Sequence, residues 1–95
     1  MNENVTTWTA GTEIDSAEFL RAELFYNLGT VYENLEDGTA SRLNFASCAG
    51  DYKKISEKSP LKTPRGAQME RGFCLVKAGL NTEALKIFGD LVKVY

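Results

Sequence analysis

Residues 25–45, FYNLGTVYENLEDGTASRLNF, decide the fold, because residues 68–88, QMERGFCLVKAGLNTEALKIF, repeat their pattern at a constant offset of 43. Gly29 falls on Gly72, Tyr32 on Leu75, Ser41 on Ala84 and Phe45 on Phe88. In both stretches a small residue follows the glycine by 12 positions and a phenylalanine follows it by 16. A fixed period of this size marks a repeated supersecondary unit. The physical reason is close packing of two helices. A glycine lets a partner backbone approach, a small residue meets it across the hairpin, and a ring one turn further on fills the remaining space.

Working outward, each stretch reads as the centre of a helix–turn–helix. The first helix is expected from Asp15 or Ser16 to about Leu35, with Asp15 and Glu18 spaced as a capping box and Ile14 as a hydrophobic staple. Glu23, Asn27, Thr30 and Asn34 recur at spacings of 4, 3 and 4 and draw one polar stripe. Leu24, Phe25, Leu28, Val31, Tyr32 and Leu35 fill the rest of the circumference, so this helix is expected to have neighbours on two sides. Glu36-Asp37-Gly38 ends it. A second helix is expected from Thr39 to about Glu57, with Leu43, Phe45, Cys48, Ala49, Tyr52 and Ile55 on its apolar face. Ser59-Pro60 breaks the chain, because proline cannot continue a helix. Thr63 as cap and Pro64 at the first helical position open the third. Gly79 suits a left-handed terminus, and Asn81 is expected to cap the fourth helix. No segment alternates at period two. The fold class is therefore all-α, built from two antiparallel hairpins at about residues 15–59 and 63–95. Residues 1–14 form an extended or flexible arm, with Trp8 available to dock on the body or on another chain.

Composition narrows the function. Ninety-five residues with 43% apolar and 25% charged side chains make one small globular domain. The longest apolar runs are a few residues, such as Phe73-Cys74-Leu75-Val76, so membrane insertion is not expected. Met1-Asn2-Glu3-Asn4 lacks the opening of a signal peptide, which leans toward the cytoplasm. Eleven basic residues against 13 acidic ones leave no cationic excess for nucleic acid. The local cluster of Lys53, Lys54, Lys58, Lys62 and Arg65 reads as a solvated helix end. There is no histidine, which removes the commonest general base and metal ligand. Cys48 and Cys74 stand 26 apart without ligand spacing. Two buried thiols are expected in preference to a bridge, with the bridge left open. No nucleophile has a visible activating partner. The chain is thus expected to be no enzyme and to use no cofactor.

The string Tyr26-Asn27-Leu28-Gly29 followed by Tyr32, together with Phe25, Ser41 and Phe45, resembles the first copy of a tetratricopeptide repeat. Gly72, Leu75, Ala84, Phe88 and Leu91 are similar to a second copy. The likeness covers residues 22–95. The family's period is about 34 residues, so the longer spacing here adds about nine to the second helix and its loop. Lys53 stands where the family ends its unit with proline, Arg71 replaces the leucine before the second glycine, and Gln68 stands where Phe25 stands in the first copy.

The resemblance implies two hairpins stacked as a short right-handed superhelix that binds a protein or peptide on a face formed by the first helix of each hairpin. Carried onto this sequence, that face is Glu23, Tyr26, Asn27, Thr30, Glu33 and Asn34 from the first copy and Met69, Glu70, Phe73 and Lys77 from the second, with Val76 beside them. The basic set that grips carboxylates in chaperone-binding members is absent, since Lys77 is the only cation in these positions. Two hairpins alone expose an apolar face at each end, and Leu91-Val92-Lys93-Val94-Tyr95 carries no polar cap. The chain is therefore expected to be part of a longer array or a homo-oligomer. A helical bundle serving self-assembly, with no groove ligand, is the alternative.

Overall fold

The computed structural model describes residues 10–58 and 65–94, with side chains from Ala17 in the first stretch and from Gly66 in the second. Four helices follow one another: α1 (Ala10–Asn34), α2 (Gly38–Lys58), α3 (Arg65–Lys77) and α4 (Asn81–Val94). No strand occurs among the described residues. Each helix packs against the one before it. The all-α class follows directly from the periodicity.

The two turns are built alike. At the end of α1, Glu36 donates its N–H to the Glu33 carbonyl (3.0 Å) and Asp37 donates to Tyr32 (2.9 Å). At the end of α3, Gly79 donates to Val76 (3.0 Å) and Leu80 donates to Leu75 (2.8 Å). This paired bonding is the Schellman termination, which needs a left-handed residue just past the helix. Gly79 supplies it with φ 82°, whereas Glu36 supplies it with φ 63° and carries a Cβ there. The next helix starts at once. Ser41 donates to the Asp37 carbonyl and Ala84 donates to the Leu80 carbonyl, so Asp37 and Leu80 are the capping positions. Asn81 is therefore the first helical residue rather than the cap, because the left-handed turn uses only Gly79 before the chain re-enters a helix. Asp37 also caps with its side chain, accepting from the Ala40 N–H at 3.1 Å; Leu80 cannot.

The hairpins close where the repeated residues fall. A Cβ placed on Gly29 would lie 2.9 Å from three carbons of the Phe45 ring, and one on Gly72 would lie 2.5 Å from Phe88 Cζ. Both glycines are buried. Ser41 Oγ donates to the Gly29 carbonyl at 2.9 Å across the first hairpin, and Ala84 is buried at the matching place in the second. Phe45, Ile55, Cys48 and Cys74 are the largest fully buried side chains, and Ala22, Ala49, Tyr52, Ala67 and Leu75 complete the core. Phe19 and Tyr52 meet edge to face at 6.0 Å.

Three further expectations are corrected. Cys48 and Cys74 form a disulfide joining α2 to α3, with Cα atoms 5.9 Å apart, in place of two buried thiols. Burial of both residues at one helix–helix contact brings the sulfurs together, a proximity that spacing in sequence does not encode. Next, α1 opens at Ala10, inside the stretch expected as an arm, and Asp15 lies within the helix. Gly11 is tolerable in a first turn, and nothing else between Ala10 and Ser16 opposes helix. Finally, among the described residues α1 packs chiefly against α2 and not on two sides. Phe25 and Tyr32 are half-buried, but Leu24, Leu28, Val31 and Leu35 remain exposed. The expected roles of Trp8, Ser59-Pro60, Thr63 and Pro64 lie outside the described residues.

Candidate partner-binding face

The sequence nominates ten residues on α1 and α3, and the spacing of each helix decides which of them share a side. With 100° per residue, Tyr26, Thr30 and Glu33 lie within about 60° of one another on α1, flanked by Glu23, Asn27 and Asn34. On α3 the same arithmetic groups Met69, Phe73 and Val76, with Glu70 and Lys77 on one flank.

The structure leaves these side chains accessible. Glu23, Asn27, Glu33, Asn34, Met69, Glu70, Phe73 and Lys77 are exposed, and Tyr26 and Thr30 are half-buried. Tyr26 rests edge-on against Phe45, with centroids 5.3 Å apart at 73°. Its ring therefore belongs partly to the core. Thr30 Oγ1 donates to the Tyr26 carbonyl at 3.1 Å, an i to i−4 bond back to its own helix. Phe73 leans on Phe88 with centroids 5.8 Å apart and stays 44% exposed. With Met69 and Val76 it makes a short apolar strip.

An ion pair ties α1 to α3. Glu33 pairs with Lys77 at 3.4 Å, 44 positions away in sequence. The same ammonium sits 5.7 Å from the Phe45 ring centroid. The pair is exposed on both sides and contributes little to stability; its value is positional. Further along the helices lies Tyr52, which is buried. Burial pushes its hydroxyl pKa up to about 12, and the negative charges of Glu70 and then Glu23 add to the shift. Glu23 and Glu70 thus bear electrostatically on one buried phenol from different helices. Five of the ten nominated residues make these contacts: Tyr26, Thr30, Glu33, Phe73 and Lys77.

An open cleft of about 290 Å³ lies beside this face, lined by Glu33, Glu36, Ser41, Arg42, Val76 and Lys77. Sequence reasoning did not single out Glu36 or Arg42. Their only signal was their position at the hairpin turn, where both hairpins bring α-helix ends together. On the opposite flank, Arg21 pairs with Asp51 at 3.3 Å and stacks over Phe25 at 5.5 Å, and Lys58 pairs with Glu18 at 2.6 Å. These contacts clamp α1 to α2 and keep the nominated face free of them. Among the described residues no helix is long and apolar enough to cross a membrane. No family model, curated protein or solved structure matches the chain.

Proposed function

We propose that this chain is a tetratricopeptide-like pair of hairpins acting as a non-catalytic protein-interaction module. It binds an extended peptide segment of a partner protein along α1 and α3. The observation that supports this reading best is the Glu33–Lys77 pair, which links the two nominated helices. An accessible apolar strip of Met69, Phe73 and Val76 lies beside acidic and amide side chains, which suits a segment carrying one apolar anchor and a basic or polar flank. The matching glycine–phenylalanine contacts in both hairpins support the tetratricopeptide likeness.

The test is peptide selection from a displayed library on the intact, oxidised chain, followed by backbone amide shift mapping. Shifts are expected along Asn27, Thr30, Glu70 and Phe73. Asn27→Ala with Glu70→Ala should weaken the selected peptide at least tenfold at unchanged helicity. Failure to select any peptide, or shifts confined to α2 and α4, would overturn the reading.

A further inference from the structure

We propose that copies of this chain associate head to tail, α4 of one copy covering the outer face of α1 of the next, as α2 covers α3 within one chain. The proposal rests on the equivalence of the two hairpins and not on the peptide-binding face. Inside the chain, α3 turns Ala67 and Cys74 into the core against Cys48 and Ala49 of α2, and Arg71 shares the groove lined by Ala49. At the same offset of 43, Ala67, Arg71 and Cys74 correspond to Leu24, Leu28 and Val31 of α1, while Cys48 and Ala49 correspond to Leu91 and Val92 of α4.

Each of these counterparts is a large aliphatic residue. Each of the α1 counterparts is uncovered. Leu20, Leu24, Leu28, Val31 and Leu35 form a continuous stripe on α1 at spacings of 4, 4, 3 and 4, between 44% and 68% exposed. On α4, Leu85 is 74% and Val92 76% exposed, and Leu91 lies half-buried beside them. Together the two faces carry roughly 600 Å² of exposed apolar surface; with the polar rim of an ordinary interface this makes about 1,000 Å², the size at which specific association begins. Isolated exposed leucines need no explanation, but two stripes of this size do. In the assembled pair Val31 meets Leu91, an apolar contact where the chain itself has its disulfide. The contact is heterologous, because a different surface is used on each side, so it propagates beyond a dimer.

Sedimentation equilibrium on the oxidised chain tests this. The weight-average mass should rise with concentration above the 10.5 kDa of one chain and continue past twice that value. Leu28→Glu blocks the α1 face and Val92→Glu blocks the α4 face. Each variant alone should stay monomeric with unchanged helicity. Their equimolar mixture should form a heterodimer, because each keeps the surface the other has lost. Leu24→Glu and Leu85→Glu provide a second pair should either first variant lose helicity. A chain that is monomeric at all concentrations, or a mixture that does not associate, would overturn the proposal. So would a Val92→Glu variant that still dimerises, which would assign the α1 stripe to self-pairing. Asn27→Ala with Glu70→Ala should leave the mass unchanged, separating this surface from the peptide face.

Discussion

Replacing Gly29 and Gly72 by alanine, one at a time, compares two superficially equal contacts. Alanine in a helix interior is favoured over glycine by about 1 kcal/mol. Against that gain stands the new Cβ. At Gly29 it meets three ring carbons of Phe45 at 2.9 Å, and that ring is fully enclosed. Tyr26 abuts it edge-on, and Ser41 Oγ holds the two helices at their spacing through the Gly29 carbonyl. The ring cannot yield without moving α2, and overpacking of this kind costs about 1–3 kcal/mol. Because the ring is fully enclosed the cost falls in the upper half of that range, so Gly29→Ala should lose about 1–2 kcal/mol net, or roughly 4–15 °C in a domain of this size. At Gly72 the Cβ comes nearer, 2.5 Å from Phe88 Cζ. Phe88 is only half-buried, however, and meets the glycine with the far end of its ring. A small rotation toward solvent relieves the clash, so Gly72→Ala should lie within about 0.5 kcal/mol of the parent once the helix gain is included. Urea unfolding followed by far-ultraviolet circular dichroism measures both. Phe45→Leu combined with Gly29→Ala should be less destabilised than the sum of the two changes. A Gly29→Ala chain as stable as the parent, or a Gly72→Ala chain that is the worse of the two, would refute the argument from ring enclosure.

Other outcomes follow from the same geometry. Cys48→Ala with Cys74→Ala frees a 26-residue loop in the unfolded chain and should lower stability by about 3–4 kcal/mol by the chain-entropy estimate, read as a urea midpoint against the oxidised parent. Glu36→Gly removes the Cβ from a left-handed residue and should stabilise by about 0.5–1 kcal/mol; Gly79→Ala, at the equivalent place, should destabilise by a comparable amount. Tyr52 remains neutral in the fold up to about pH 12, while in the unfolded chain it ionises near 10. Its contribution is thus fully present below pH 10 and lost as pH rises toward 12. The parent should lose about 2–3 kcal/mol over that window relative to Tyr52→Phe, measured by unfolding at fixed pH.

The helix pairs were legible because their signals are local. Gly29 and Phe45, and Gly72 and Phe88, sit at a separation set by one hairpin, so a sequence comparison finds them. The Schellman turn at Gly79 was equally plain, since glycine there announces a left-handed residue. Its twin at Glu36 was not, because a glutamate gives no such sign and only the bonding pattern reveals it. Asp15 and Glu18 have capping spacing, yet the same spacing arises inside a helix, and α1 runs through it from Ala10. The disulfide was hidden for a different reason. It depends on how one hairpin lies against the other, a relation that no single helix period contains. On the nominated face, exposure followed from periodicity, but the Glu33–Lys77 pair between α1 and α3 did not. Both hairpins must be placed before those charges meet.

The Cys48–Cys74 bridge has one further consequence. Residues 59–64 are the sole peptide connection between the hairpins, yet the sulfur link provides a second covalent route around them. Backbone continuity there becomes dispensable. A chain cut after Lys62 should migrate as one band until a reductant is added and as two afterwards, and in its nicked form it should melt as a unit.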